Sequence, residues 1–330
     1  MKTLRKKLFA VTSLCLSLAC GAALAGADGK GYPDKPVRIL VGFPAGQTTD
    51  IIARIYAEHL GQALGQGFVV ENRPGAGATI AARAVAEAAP DGYTLLMSSS
   101  GPLTISPWIY KNTLKYDPIK DLEPIGLVIR VPQVLVANND FPANTFEEFI
   151  RIAKEQGPRL NYASGGNGIT NHLVMEMLKD KAGLTISHVP YKGASAAMTD
   201  LMGGRVQVMF DSTPVTLPLL KSGKIKALAV SGAKRIPWLP DVPTVAEKGY
   251  PGFEGSTWAA LLAPAGTPQA IVDKLNAQLI RINQMPKVKA AIQDLGAEPQ
   301  EGTPRQLGQF MQAELQKYGR IVTAANIRLD

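Results

Sequence analysis

Apolar positions along the chain fall into two kinds of run that alternate. Val37 to Val41 is short, apolar and mostly β-branched, and Asp50 to Leu64 carries apolar residues at helical spacing (Ile51, Ile52, Ile55, Leu60, Leu64). Phe68 to Asn72 is strand-like again, Thr79 to Ala89 is an alanine-rich helix, and Thr94 to Ser98 is a third strand. Short buried strands alternating with helices of this length predict parallel sheets of the α/β class.

A second such series starts after Asp140. Thr145 to Gln156 predicts a helix, with Thr145 and Glu148 spaced as a capping box. It is followed by strands at Leu160 to Tyr162, Ile186 to Val189, Val206 to Phe210 and Lys226 to Val230, and by helices at Ile169 to Lys181 and Ser195 to Met202. Proline-rich Pro237 to Phe253 reads as an irregular connection, Thr257 to Ala263 as a strand, and Gln269 to Asn283, Lys287 to Asp294 and Pro304 to Ala324 as closing helices. The first series has few strands and the C-terminus only helices, so the closing helices are expected to pack back on the first lobe. Apolar Glu123 to Ala137 would be one crossing between lobes, and the segment around Gly255 the other. The expected division is residues 30–130 with 255–330 in lobe 1 and 131–254 in lobe 2.

The N-terminus changes how the charge is read. Lys2, Arg5, Lys6 and Lys7 precede an apolar run, Leu8 to Ala19, and Ala23-Leu24-Ala25 follows. This is the pattern of a secretory signal peptide over residues 1–25, cleaved near Ala25, and the run is too short for a transmembrane anchor. Ser17 to Cys20 only faintly matches a lipoprotein box. Cleavage would remove both cysteines, Cys15 and Cys20, and four of the basic residues behind the formal charge of +8. The remaining charges are dispersed with no basic block, which argues against nucleic-acid binding.

Candidate chemistry concentrates in two segments that read as strand, glycine-rich loop and helix start. One is Val41 to Asp50, containing Phe43, Ala45, Gly46, Gln47 and Thr48; the other is Tyr162 to Asn171, containing Ser164, Gly166, Asn167, Gly168 and Thr170. In open α/β sheets ligands bind beyond the carboxyl ends of strands. A helix start there offers unpaired N–H groups and the positive end of a dipole, which suits a carboxylate without any arginine. The alternative is that the glycines only make tight turns, with Thr48 and Asp50 as caps. Asp211, at another strand end, could meet a ligand amine or hydroxyl or cap the next helix, and Ser99 could line the rim or a solvated turn.

Signals for catalysis are weak. His59, His172 and His188 lack a metal-binding spacing, and there is no G-x-S-x-G elbow. Gly75 and Gly77 begin a dinucleotide fingerprint, but Ile80 stands in place of its third glycine. A binding protein without cofactor, metal or catalytic residues is therefore expected, with a periplasmic hydrolase or lyase using His172 and Ser164 or Asp211 as the less favoured reading.

The chain resembles the substrate-binding receptors of tripartite tricarboxylate transporters, the Bug-type periplasmic proteins. The resemblance rests on Pro36 to Ile39 with Phe43 to Gly46 and Asp50, Glu71 to Gly77, Asp91 to Leu96, Tyr162 to Gly168 with His172, His188 to Gly193, Asp200 to Gly204, Met209 to Asp211 and Pro264 to Pro268. It implies a type II periplasmic-binding-protein fold, two Rossmann-like lobes with a ligand cleft between them. It also implies a periplasmic monomer that captures a small carboxylate, partly through ordered waters, for a two-component membrane permease. A sensor reporting to a membrane kinase would use the same fold and cleft. Carried over by position, the grip falls on Phe43, Ala45, Gly46 and Asp50, on Ser164, Gly166, Gly168 and Thr170, and on Asp211. Two positions depart from the pattern: Gln47 stands where a second glycine is common, and Ser106 where Asn often precedes the proline.

Overall fold

The computed structural model describes residues 31–327. The segment expected to be a signal peptide, its expected cleavage site and both cysteines lie outside the described residues. The first lobe is built on three parallel strands: β1 (Val37–Val41) pairs with β2 (Phe68–Asn72) on one side and β3 (Thr94–Ser99) on the other. Helix α1 (Thr48–Leu64) follows β1, and α2 (Thr79–Ala86) precedes β3. Strand residues alternate between two apolar layers. Ile39, Val41, Leu95 and Met97 pack with α1 on one face, and Leu40 and Leu96 pack with α2 on the other. A sheet covered on both faces needs apolar side chains at nearly every position, which is why these runs are continuous.

After β3 the backbone makes a π-helical turn over Gly101–Ile105 and a short helix α3 (Ser106–Ile109). The 16-residue strand β4 (Leu122–Ala137) comes next and belongs to both lobes. Its Leu122 to Pro132 portion runs antiparallel to β9 (Ser256–Pro264), which continues the first lobe's sheet beside β3. From Gln133 onward it pairs with β7 (Val208–Ser212) and β8 (Lys226–Val230).

The second lobe adds α4 (Phe146–Gln156), β5 (Asn161–Ser164), α5 (Thr170–Ala182), β6 (Ser187–Pro190), α6 (Ala194–Met202) and α7 (Thr213–Lys221). Strand β5 runs parallel to β6 and β7, and α4 begins with the Thr145–Glu148 capping box. Helices α8 (Gln269–Gln284) and α9 (Pro286–Asp294) return to the first lobe, where Ile271, Leu275, Leu279 and Ile292 join its core. Two-residue strand β10 (Glu298–Pro299) pairs with β4 at Ile129 and Arg130.

The last helix, α10 (Pro304–Ala324), is not confined to the first lobe, where the closing helices are expected to pack. Leu307 and Met311 pack into that lobe, whereas Tyr318 and Val322 pack with Ile105 and with Leu173 of α5. It therefore bridges both lobes. Its Gly319 lies against Trp108, and a Cβ at that position would come within 2.4 Å of the indole.

Both backbone passages between the lobes are tied to Ser231, which is fully buried. Its amide donates to Gln133 O (2.8 Å), and its hydroxyl accepts from Gln133 N (2.9 Å) and donates to Gly255 O. Its carbonyl accepts from Gly255 N (3.0 Å). One residue thus clamps β4 at its point of transfer to the chain as it re-enters β9. Ser231→Ala removes the partner of two buried backbone groups, each costing about 1–3 kcal/mol when unsatisfied. The variant is expected to unfold at a clearly lower temperature than wild type by calorimetry, and an unchanged melting temperature would show that the clamp does not bear on stability.

Candidate functional site

The first glycine-rich loop leaves the carboxyl end of β1. Gly42 is buried against the turn that follows β2, and an added Cβ would lie 2.4 Å from the Cβ of Ala78, so only glycine lets the two turns approach. Beyond it Ala45, Gly46 and Gln47 are exposed and Phe43 and Thr48 half-buried, while Asp50 is buried. The Asp50 carboxylate accepts from Gly46 N (2.8 Å) and Asn72 Nδ2 (2.8 Å) and from Arg54 Nε (3.0 Å), and Asn72 Nδ2 also donates to Phe43 O (2.9 Å). Desolvation pushes the Asp50 carboxyl upward, but these hydrogen bonds and the Arg54 charge outweigh it and hold it below the ordinary range. Asp50 is thus neither the helix cap nor a free anion. It anchors the loop from beneath.

Helix α1 accordingly starts bare. Gln47, at the N-cap position, provides no side-chain hydrogen bond, and the first intrahelical donor is Ile51 N, to Gln47 O at 2.9 Å. The N–H groups of Thr48 and Thr49 remain for an outside acceptor.

The second loop leaves β5 in the same manner. Gly165 sits where a Cβ would fall 2.8 Å from Ala194 N, which lets this loop close on the turn before α6. Ser164 and Gly168 are buried, Gly166 is half-buried and Asn167 is exposed. Ile169, at the N-cap position of α5, offers no cap, so Thr170 and Asn171 present unpaired N–H groups. Inside the lobe the loop rests on two histidines. His172 Nδ1 accepts from Gly168 N (2.9 Å), His188 Nε2 lies 2.6 Å from Ser164 Oγ, and Gly166 N donates to the same hydroxyl (3.2 Å). The rings stack with centroids 3.9 Å apart and an 8° interplanar angle, and Tyr162 stacks on His188 at 4.8 Å.

Burial is the main reason both imidazoles resist protonation. His172 is pushed down to about 3, with His188 and Lys179 adding repulsion. His188 is pushed down to about 4; the Glu176 carboxylate opposes the shift and Lys179 supports it. Glu176 is engaged by the Tyr162 hydroxyl and by Lys179 Nζ (2.7 Å).

The lobes meet where these helices begin. Ser100 Oγ, directly after β3, lies 3.5 Å from Thr170 Oγ1, and β3 is the neighbour of β1. Loops leaving parallel neighbours emerge at the same carboxyl end of the sheet, so the Gly46 loop and the Gly168 loop flank a common seam. Ser99 is buried at the end of β3, and Ser100 is the serine that spans the seam. Asp211 is the penultimate residue of β7, next to β5. Its Oδ1 accepts from Ser212 N (2.7 Å), its Oδ2 is buried with no partner among the described residues, and burial raises its carboxyl to about 6.

Two grooves lie away from the loops, one of about 600 Å³ beside Trp108 and Gly319 and one of about 340 Å³ beside Ile80 and Tyr110. Neither is lined by a residue of the two loops. Among the described residues no group of three or more His, Cys, Asp or Glu side chains could hold a metal ion. Asn72 and Arg54 are not among the site residues expected from the sequence, and His172 is expected only as a catalytic alternative, because nothing in their spacing marks these residues or His188 as supports for a loop.

The histidines set an acid limit. An unfolded chain takes up these two protons near pH 6.5, whereas the folded chain does so only near 4 and 3. Their contribution to stability is therefore complete above pH 6.5 and declines as the pH falls toward 4. Asp211, whose carboxyl is raised, works in the opposite direction between pH 6 and its unfolded value. The melting temperature is expected to fall from pH 6.5 to 4, and to fall less in the His172→Asn/His188→Gln double variant. Equal slopes in the two proteins would contradict this assignment.

With that geometry in place, comparison with known proteins is direct. The family model for the tripartite tricarboxylate transporter family receptor matches residues 52–327. BugT of Bordetella pertussis is 36% identical over 324 residues, covering 98% of each chain. Among solved structures, Rpa4515 of R. palustris with adipate is 36% identical with a TM-score of 0.77, covering 90% of this chain and 100% of that one. MatC of Rhodopseudomonas palustris with bound malate is 35% identical with a TM-score of 0.73, covering 88% and 100%. The fold is the type II periplasmic-binding-protein fold, two Rossmann-like lobes with a ligand cleft between them, and the chain belongs to the tripartite tricarboxylate transporter receptor family.

Proposed function

We propose that the chain is a monomeric periplasmic receptor that closes on a small carboxylate and delivers it to a two-component membrane permease, without catalysing a reaction. The observation that carries this reading is the pair of uncapped helix starts, at Thr48 and Thr170, on opposite sides of the seam bridged by Ser100 and Thr170. Relatives solved with adipate and malate support the ligand class. Membership of a receptor family supports the transport role and the compartment, and the leader, cleaved near Ala25, would supply the export route.

In this reading Phe43, Ala45, Gly46, Gln47 and Thr48 form one side of the grip, and Asn167 and Thr170 the other. Asp50, Ser164, Gly166 and Gly168 hold the two loops in shape. Ser99 ends the strand behind Ser100. The lobes, 30–130 with 255–330 and 131–254, would rotate about Pro132–Gln133 and Gly255–Ser256 with Ser231 as the clamp. Gln47 is exposed at the loop tip, where its amide can reach a second ligand group.

Asp211 lends the site a pH dependence. A bound carboxylate repels an ionised Asp211, so binding favours its protonated form and takes up a proton above pH 6. Affinity is therefore expected to rise as the pH falls from 8 to 6, by at most about tenfold per unit, and the slope is expected to vanish in Asp211→Asn. Calorimetric titration that finds the wild-type affinity independent of pH would remove Asp211 from the site.

The ligand class is tested by thermal shift of the mature protein against adipate, malate, citrate, terephthalate, nicotinate and neutral sugars. A bound ligand raises the melting temperature by mass action. Shifts confined to carboxylates are expected, and a shift with sugars alone overturns the reading. Gln47→Gly is expected to change the order of the acids, and an unchanged order would show that Gln47 does not select among them.

A further inference from the structure

The histidines under the second loop do more than fill the core. Three donors or acceptors of the loop are committed inward: Gly168 N–H to His172 Nδ1, Gly166 N–H to Ser164 Oγ, and Ser164 Oγ in turn to His188 Nε2. The hydroxyl also lies 2.9 Å from Gly166 O. A hydroxyl has one hydrogen, so it cannot donate to Gly166 O and His188 together. All three contacts of the hydroxyl are satisfied when His188 carries its proton on Nε2 and donates to Ser164, leaving the hydroxyl hydrogen for Gly166 O. His172 accepts at Nδ1, so its own proton is also on Nε2, facing Glu176 Oε1 at 3.9 Å. Both rings then share one tautomer and are neutral, which suits two stacked rings 3.9 Å apart in a buried site.

We propose that His172 and His188 act as a paired positioning element for ligand capture, turning the Gly166 and Gly168 N–H groups inward so that the unpaired donors facing the seam are those of Thr170 and Asn171. Neither imidazole needs to touch the ligand. His172 sets the loop through its acceptor nitrogen, and His188 through the hydroxyl of Ser164. The charged and titratable groups around the pair are Tyr162 from β5 and Glu176 and Lys179 from α5. Glu176 is held between Tyr162 and Lys179, so it does not form a close ion pair with His172. The binding consequence rests on the carboxylate reading above; the loop geometry does not.

The experiment uses the mature full chain with two substitutions. His172→Phe keeps an aromatic ring in the stack and removes the acceptor. His172→Asn places an amide oxygen close to where Nδ1 stood. Imidazole ¹⁵N spectra of the wild type are expected to show both rings neutral at pH 5 with Nδ1 unprotonated. Amide exchange at Gly168 is expected to quicken in His172→Phe by about tenfold, the equivalent of one lost hydrogen bond, and to return most of the way in His172→Asn. Binding of adipate or malate is expected to weaken in the same order, Phe variant most. A Gly168 amide as protected in His172→Phe as in wild type, or either ring charged at pH 5, overturns the proposal. If wild type binds neither acid, the carboxylate reading has failed while the exchange result still decides the role of the histidines.

Discussion

The first N–H groups of a helix have no partner within it, and something outside must supply one. At the starts of α4 and α10 the chain supplies it, with Thr145 and Thr303 in capping boxes. At the starts of α1 and α5 it does not, and the side chain that could have capped α1 is turned to another task. Asp50 lies one turn into the helix and reaches back to Gly46 N. The loop is held, yet the helix end stays open. A carboxylate at such an end gains hydrogen bonds and a favourable dipole without an opposing charge to desolvate. Two such ends across a seam can hold one anion from both sides, and that would link capture to closure of the lobes.

Holding two backbone ends in register demands stiff supports, and most of the buried polar chemistry is spent there. In the first lobe Asn72 joins Asp50 to Phe43 O, and Arg54 completes the carboxylate's partners. In the second lobe neutral aromatic rings do the same work, with Tyr162, His188 and His172 stacked beneath Ser164 and Gly168. One network is ionic and the other uncharged, and each lies within its own lobe. Between them runs β4, whose hydrogen-bond partners change from one lobe to the other at Pro132–Gln133, with Ser231 fastening both passages. Helix α10 adds an apolar contact to each lobe, so the relative placement of the loops depends on packing far from them.

Much of this was legible in the chain. The βα alternation, the long apolar run through Val128 and Val134, the capping box at Thr145 and the two glycine-rich loops are local signals, set by side-chain period and turn chemistry. Helix α2 ended at Ala86, short of the expected Ala89, with Pro90 close behind. The role of Asp50 was not legible, because a helix-start aspartate looks the same whether it caps or reaches back, and only the backbone path at Gly46 separates the two. The histidine pair was hidden by distance in sequence: His172 and His188 belong to different elements and stack only because β6 lies beside β5. The reach of α10 to Leu173 depends on which neighbour its second apolar face finds, and periodicity does not carry that information.

In the proposed mode of capture one carboxylate is held by the open ends of α1 and α5 together. An amide titration by ¹H–¹⁵N NMR with adipate addresses it directly. The amides of Thr48 and Thr49 and those of Thr170 and Asn171 are expected to shift together along one binding curve. Shifts confined to one of the two helix starts, or centred instead on the groove beside Trp108, would contradict it.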